Sequence, residues 1–205
     1  MMQYTQLMQT PYKMKNNEFY MMKRVLFLLL ALVGLNLMAQ EKPIQCDSVI
    51  QAEGKNVSVL YPQIRAWAAM TFNSAQDVIQ MDDANNGILI CKGAFSYRAP
   101  GGMTYRCIDG AVNYSLKIQV RDGRYKVTMS GFTHESFDLS WKSTWSFGLI
   151  TDREKFKPSG MQDKRWLKTW PDLQQKCVAH FNEIVKSLSM ATSENNAILD
   201  SGDDW

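Results

Sequence analysis

Between Val112 and Arg121 apolar and polar side chains alternate without a break. Val112, Tyr114, Leu116, Ile118 and Val120 stand against Asn113, Ser115, Lys117, Gln119 and Arg121. A period of two is that of a strand with one face in a core and the other wet. Asp122-Gly123 turns the chain, after which Tyr125, Val127 and Met129 resume the apolar face against Lys126, Thr128 and Ser130. Upstream, Asp77–Asp83 and Ile88–Tyr97 flank Asn86-Gly87, a pair suited to a tight hairpin because both residues tolerate positive φ. Pro100-Gly101-Gly102 marks a looser loop between the two hairpins. The pattern predicts a four-stranded antiparallel meander.

Helical spacing appears on either side of it. Leu60, Ile64, Trp67, Ala68 and Thr71 recur at that spacing upstream, with Pro62 near the first turn. Downstream, Pro171-Asp172 opens a second helix whose apolar stripe is Leu173, Cys177, Phe181, Ile184 and Leu188. Ile44–Gln51 reads as a short strand ahead of the first helix. The expected architecture is α+β, in the order strand, helix, four strands, helix. Both helices cover the apolar face of the sheet and leave the other face open and polar. Residues 138–170 form a long excursion holding Trp141, Trp145, Trp166 and Trp170, and residues 193–205 are a polar, acidic tail.

The N-terminus alters the picture. Lys23 and Arg24 precede an apolar run from Val25 to Val33 that relaxes to Ala39, the order of a secretory signal peptide over residues 22–39. The run is shorter than the ~20 apolar residues a spanning helix needs, so no transmembrane span is expected after cleavage. Residues 1–21 read as an extension before the natural start, and residues 40–192 as the domain. Export to the periplasm, outer envelope or exterior follows. Without Lys13, Lys15, Lys23, Arg24 and Glu18, the remaining chain has nineteen basic and nineteen acidic side chains. A neutral domain lacks the phosphate-neutralising charge that drives nucleic-acid binding unless its charges segregate on one face, so no nucleic-acid partner is expected.

Trp67, Thr71-Phe72, Ala75–Asp83, Gly87–Tyr97, Asn113–Thr128, Ser146–Thr151, Cys177–Leu188 and Asp203-Asp204-Trp205 resemble a family of exported bacterial proteins of unknown function. That family is described as having a TATA-binding-protein-like (TBP-like) fold. The resemblance spans most of Ile44–Leu188 and implies a single TBP-like domain with this strand and helix order. Its motifs are structural, and it supplies no activity to carry over to any residue. In the namesake, two pseudo-repeated halves grip DNA with basic side chains on a concave sheet; this chain has one such half, an expected export signal and no net charge in the part after Ala39.

The chemistry-bearing residues are few. His134 lies beside Glu135 at the end of the last meander strand, but adjacent strand residues point to opposite faces and no nucleophile stands in a motif nearby. Asp82-Asp83 leads into a turn and misses the spacing of a calcium loop. Gly101-Gly102 lacks the spacing of a phosphate cradle. Cys46, Cys91, Cys107 and Cys177 contain no CxxC pair, so zinc is not expected; Cys91 and Cys107 bracket a loop and are a candidate disulfide. No catalytic residue, cofactor or metal is expected.

The candidate binding face is Lys117, Gln119, Arg121, Lys126, Thr128 and His134, with aromatic contacts from the four tryptophans of the excursion. The leading expectation is a non-enzymatic binding module of the bacterial cell envelope that meets a protein, peptide or glycan. An envelope enzyme using Lys117, Arg121 and His134 and a self-associating structural protein are the alternatives. A deep pocket would favour the enzyme, and a shallow polar sheet the module.

Overall fold

The computed structural model describes Met21, Lys23, Arg24 and residues 41–72, 78–137 and 143–193. The chain divides into Met1–Gln40 and Glu41–Trp205, and every element below belongs to the second unit. Apart from Lys23 and Arg24, the expected signal segment lies outside the described residues. So do Trp141, the first residue of the expected Asp77–Asp83 strand, and the tail beyond Ser193. No helix among the described residues is long and apolar enough to cross a membrane.

The elements follow the expected order: β1 (Gln45–Gln51), α1 (Val57–Thr71), β2 (Ile79–Asp83), β3 (Ile88–Tyr97), β4 (Gly110–Arg121), β5 (Arg124–Ser136), β6 (Gly148–Leu149) and α2 (Trp166–Ser193). A short 3-10 helix, Gly102–Ile108, occupies the loop between β3 and β4. The sheet order is β1-β5-β4-β3-β2, antiparallel throughout, with β6 also on β5. The meander is therefore β2 to β5, and β1 joins its β5 edge.

The strand period is borne out where it was clearest. Leu116, Ile118, Val127 and Met129 are buried, and so are Leu60, Ile64, Trp67 and Ala68 of α1 and the whole α2 stripe from Leu173 to Leu188. Asn56 caps α1 by accepting the Val59 N–H at 3.1 Å. The Trp67 indole N–H donates to Ser187 Oγ at 3.0 Å and ties the two helices together.

Three local expectations need correction. The loop joining β2 and β3 is four residues, because Asp83 pairs with Ile88, and only Gly87 of Asn86-Gly87 has positive φ. Asp83 supplies the reason: its carboxylate accepts the Asn86 backbone N–H at 3.1 Å and side-chain N–H at 2.8 Å, which holds a wider turn. Secondly, α2 begins five residues before Pro171, which sits inside the helix. So early in a helix, proline sacrifices only one backbone bond, while burial of Thr169 and Trp170 stabilises the added turn.

The third correction is a bulge in β5. Asn113 pairs with Thr133 but Ser115 with Ser130, so Gly131 and Phe132 together oppose Tyr114. Gly131 takes φ +68°, which glycine adopts without a Cβ penalty. An extra residue inverts the strand period, so that beyond it the even-numbered Phe132 and His134 enter the core. His134 was placed on the open face by counting from Lys126 and Thr128. It is wholly buried on the other one.

In its described part, residues 143–170, the excursion is core cover and not an exposed aromatic cluster. Leu149 and Gly148 pair with Thr133 and His134, and Thr151 bridges Pro43, so the segment continues along the edge of β5 beyond β1. Trp170 is buried; it stacks on Phe147 with centroids 6.1 Å apart, lies 4.8 Å from Phe156, and donates its N–H to the Arg153 carbonyl at 2.7 Å. Trp145 and Trp166 are half-buried against the same core. Their indole area stabilises this end of the sheet instead of awaiting a partner.

The Cys91–Cys107 bridge is absent. Cys91 pairs with Leu116 in the middle of the sheet, whereas Cys107 precedes Gly110, which pairs with Tyr97 at the far end of β3. Six residues of strand separate those ends, about 20 Å, against the ~6 Å between Cα atoms that a disulfide requires.

Candidate binding face

Alternation along each strand and the cross-strand register together define the face away from the helices. Its rows run Gln51, Arg124, Arg121; then Val49, Lys126, Gln119, Ile88, Asp83; then Asp47, Thr128, Lys117, Ile90, Met81; then Gln45, Ser130, Ser115, Lys92. Five predicted residues, Lys117, Gln119, Arg121, Lys126 and Thr128, are thus brought together on neighbouring strands. His134 is not among them.

The charges segregate. Arg121, Arg124, Lys126, Lys117 and Lys92 occupy this face, while its acids are Asp47 and Asp83 on the two edge strands and Glu135 well along β5. Lys126 reaches Asp47 at 3.3 Å, an exposed pair of small energetic worth. Asp83 is occupied by its own turn. Among the described residues, Lys92, Lys117, Arg121 and Arg124 form no ion pair. Arg121 and Arg124 are direct cross-strand partners over the two-residue turn Asp122-Gly123. Like charges directly opposite destabilise a hairpin.

Between these cations lies a shallow hollow of about 200 Å³, lined by Val49, Gln119, Arg121, Arg124, Tyr125 and Lys126. Exposed guanidinium and ammonium groups there offer hydrogen-bond donors and positive charge. Asp122, the acid nearest in sequence, is engaged elsewhere, since its Oδ1 accepts the Val57 N–H at 2.9 Å, at the start of α1.

His134 makes a closed set of contacts on the opposite side. The Phe147 N–H donates to its Nδ1 at 3.1 Å, and Nε2–H donates to the Ile108 carbonyl at 3.0 Å. Burial pushes its pKa down to about 4. It is a neutral structural imidazole, and the constellation of Lys117, Arg121 and His134 is not assembled. His180 stays at the core boundary, 3.1 Å from the Tyr114 hydroxyl and 4.5 Å between ring centroids from Phe95. Asp82 is clamped across to α1 by Tyr61 Oη at 2.7 Å and Arg65 Nε at 2.6 Å, contacts that hold its carboxyl below the usual range. No group of His, Cys, Asp or Glu among the described residues is arranged to hold a metal ion.

Arg124 and Lys92 are the face residues that sequence reasoning missed. Arg124 shares parity with Lys126 immediately after the turn and was legible; Lys92 lies in a nearly all-apolar strand, and only the register with Ser115 brings it to the cluster.

Comparison with known proteins accords with this architecture. Residues 47–135 match the model of DUF4468, a domain of unknown function with a TBP-like fold. A TBP-like protein from Parabacteroides distasonis superposes with TM-score 0.53 at 12% identity, covering 71% of this chain and 92% of that one. A DUF4468 family protein from Bacteroides ovatus gives TM-score 0.51 at 13% identity, covering 76% and 89%. No curated protein matches the chain. The resemblance read from the sequence is borne out in fold, and over residues 47–135 by the match to that family's model.

Proposed function

We propose that this chain, in which residues 47–135 form a TBP-like domain of the DUF4468 family, is an exported, non-enzymatic module that binds an anionic partner on its outer sheet face. One observation carries the reading: Arg121 and Arg124 are set directly opposite each other, next to Lys126 and Lys117, and only Lys126 among them is paired, with Asp47 on the edge strand. Repulsion of this kind costs folding stability, and departures from local consistency of this kind mark functional sites. The shallow form of the face favours a macromolecular surface over an enclosed substrate. An acidic protein or peptide, or a carboxylated glycan of the envelope, has the complementary chemistry.

A nucleic acid suits the molecule less well. Setting aside the five cations of the face, the part after Ala39 carries five more acidic than basic side chains, which repel a long polyanion wherever it leaves the patch.

The test is titration of the purified mature protein with a fluorescein-labelled oligoglutamate peptide at low and high salt. Salt-sensitive binding that Lys117→Ala with Arg121→Ala weakens by roughly tenfold is expected. Binding that ignores both the salt and the double substitution would refute the reading. Export is checked separately: the intact mass of protein recovered from a secreting host should place the N-terminus at or near Gln40.

A further inference from the structure

We infer that β1 is an interface to a second copy of this chain: two β1 strands pair antiparallel about a two-fold axis and join the sheets edge to edge. The interface is independent of what the outer face binds. Among the described residues β1 has β5 as its one strand neighbour, so its other edge is open. The Ile44 N–H donates to the Ile150 carbonyl at 3.0 Å and the Ala52 N–H to the Gly123 carbonyl at 2.8 Å. Along the unbroken register between them, even-numbered residues turn their backbone groups inward. Gln45, Asp47, Val49 and Gln51 therefore turn theirs to the open edge. Such a row is a template for another strand, which proteins ordinarily block with short length, charge or a bulge. The opposite edge has all three: β2 is five residues long, is bulged between Ile79 and Met81, and carries Asp82, paired with Arg65, beside Asp83. β1 has seven residues, no bulge, no proline and Asp47 as its single charge.

Self-complementarity identifies the occupant. With the axis at Ser48, Asp47 meets Val49 of the partner subunit and Gln45 meets Gln51 of the partner subunit. All four outward residues then exchange backbone hydrogen bonds, and no like charges face each other. The helix layer fits the same arrangement. α2 packs on both β1 and β5. Near its start, Gln174 donates to the Thr151 and Arg153 carbonyls at 2.7 and 2.9 Å, beside the beginning of β1; near its end, Thr192 meets the Tyr125 hydroxyl at 2.8 Å, opposite Ile50. The helix thus runs along β1, over the seam with β5. Pairing of β1 with its copy sets the two α2 axes two strand spacings apart, about 10 Å, which matches the ~8–10 Å of packed helices. The α2 flank on that side is Gln174, Val178, Asn182, Val185 and Ser189, at helical spacing and without a charged side chain. Val178 there is 44% exposed. The other flank is already engaged, Ser187 by Trp67 and His180 by Tyr114.

Sedimentation equilibrium and amide hydrogen exchange, on protein recovered from the secreting host, test this together. The expected mass is that of two chains, falling to one on dilution. The Asp47 and Val49 N–H groups should exchange slowly in the dimer and fast in the monomer, while those of Ser48 and Ile50 stay slow in both. Val49 is 51% exposed, so its substitution leaves the core untouched. Val49→Asp sets a carboxylate against Asp47 of the partner subunit, twice over, and should weaken the dimer by roughly tenfold or more. Val49→Lys sets an ammonium group there and should leave the dimer at least as tight. A single-chain mass at every concentration would overturn the inference. So would a dimer whose Asp47 and Val49 amides exchange freely, or one that both substitutions weaken alike. Protection of these amides in single chains, and only when an unrelated extended peptide is added, would assign the edge to a different partner and overturn it too.

Discussion

The backbone N–H of Phe147 donates to Nδ1 of His134, and that single bond sets the tautomer of the imidazole. With Nδ1 accepting, the proton resides on Nε2 and is given to the Ile108 carbonyl. Protonation would place two N–H groups against each other in a site with no exposure to water. The residue therefore joins β5, the 3-10 connection and the excursion only while it is neutral.

A pH dependence follows. The folded pKa is pushed down to about 4 from 6.5, so between those values the unfolded chain binds a proton that the folded one does not. Stability is full above pH 6.5 and falls as pH drops to 4, by about 3 kcal/mol from this group. His180, also shifted down by burial, adds in the same direction. Asp82, Asp83 and Asp163 are held below the usual carboxylate range, so their contribution is lost at lower pH, from about 4 downward. Urea midpoints measured across pH 7 to 4 should slope steeply for the natural protein and less so for His134→Gln. Parallel slopes would mean that another group governs the acid transition.

Adjacent residues on β4 should differ sharply. Leu116 is fully buried while Lys117 lies on the outer face. Leu116→Ala is expected to cost roughly 2–5 kcal/mol and Lys117→Ala less than about 0.5, both read from denaturant melts. Equal costs would contradict a one-sided sheet.

Two glycines should fail for different reasons. A Cβ at Gly131 meets nothing within 4 Å, so Gly131→Ala suffers only the conformational penalty of positive φ, about 1–2 kcal/mol. A Cβ at Gly93 would stand 2.5 Å from the Tyr114 ring, which must move and loosen its contact with His180. Gly93→Ala should cost about 1–3 kcal/mol and change the tyrosine near-ultraviolet signal, whereas Gly131→Ala should leave that signal alone.

The cysteines give a chemical check. Burial pushes the Cys91 thiol up to about 11 and the Cys177 thiol up to about 12. Both should resist alkylation in the native protein near neutral pH and react promptly on unfolding. Non-reducing peptide mapping should find no Cys91–Cys107 link, and its recovery would mean that the register of β3 with β4 is wrong.

Much of the architecture was legible in the chain because it rests on short periods. Val112 to Met129 reads as two strands with one turn, and Leu173 to Leu188 reads as one helical stripe, since each pattern is local and uninterrupted. The outer face was legible to the same extent: Lys117, Gln119, Arg121, Lys126 and Thr128 follow from parity alone. His134 was misplaced because parity carries no information across an inserted residue. The tryptophans were open to two readings because area-rich side chains suit a core and a binding surface equally.

What the sequence by itself determined is therefore the kind and order of the elements, and which side chains within each unbroken strand or helix share a face. Tertiary structure alone decided the rest. The pairing of Asn113 with Thr133 exposed the bulge that buries His134. Pairing of β5 with β6 drew the Trp-rich excursion onto the core. The register between β3 and β4 separated Cys91 from Cys107 and carried Lys92 to the cationic cluster. In each case the deciding contact joins residues distant in the chain, and its stability comes from area buried between elements, a quantity that no local period encodes.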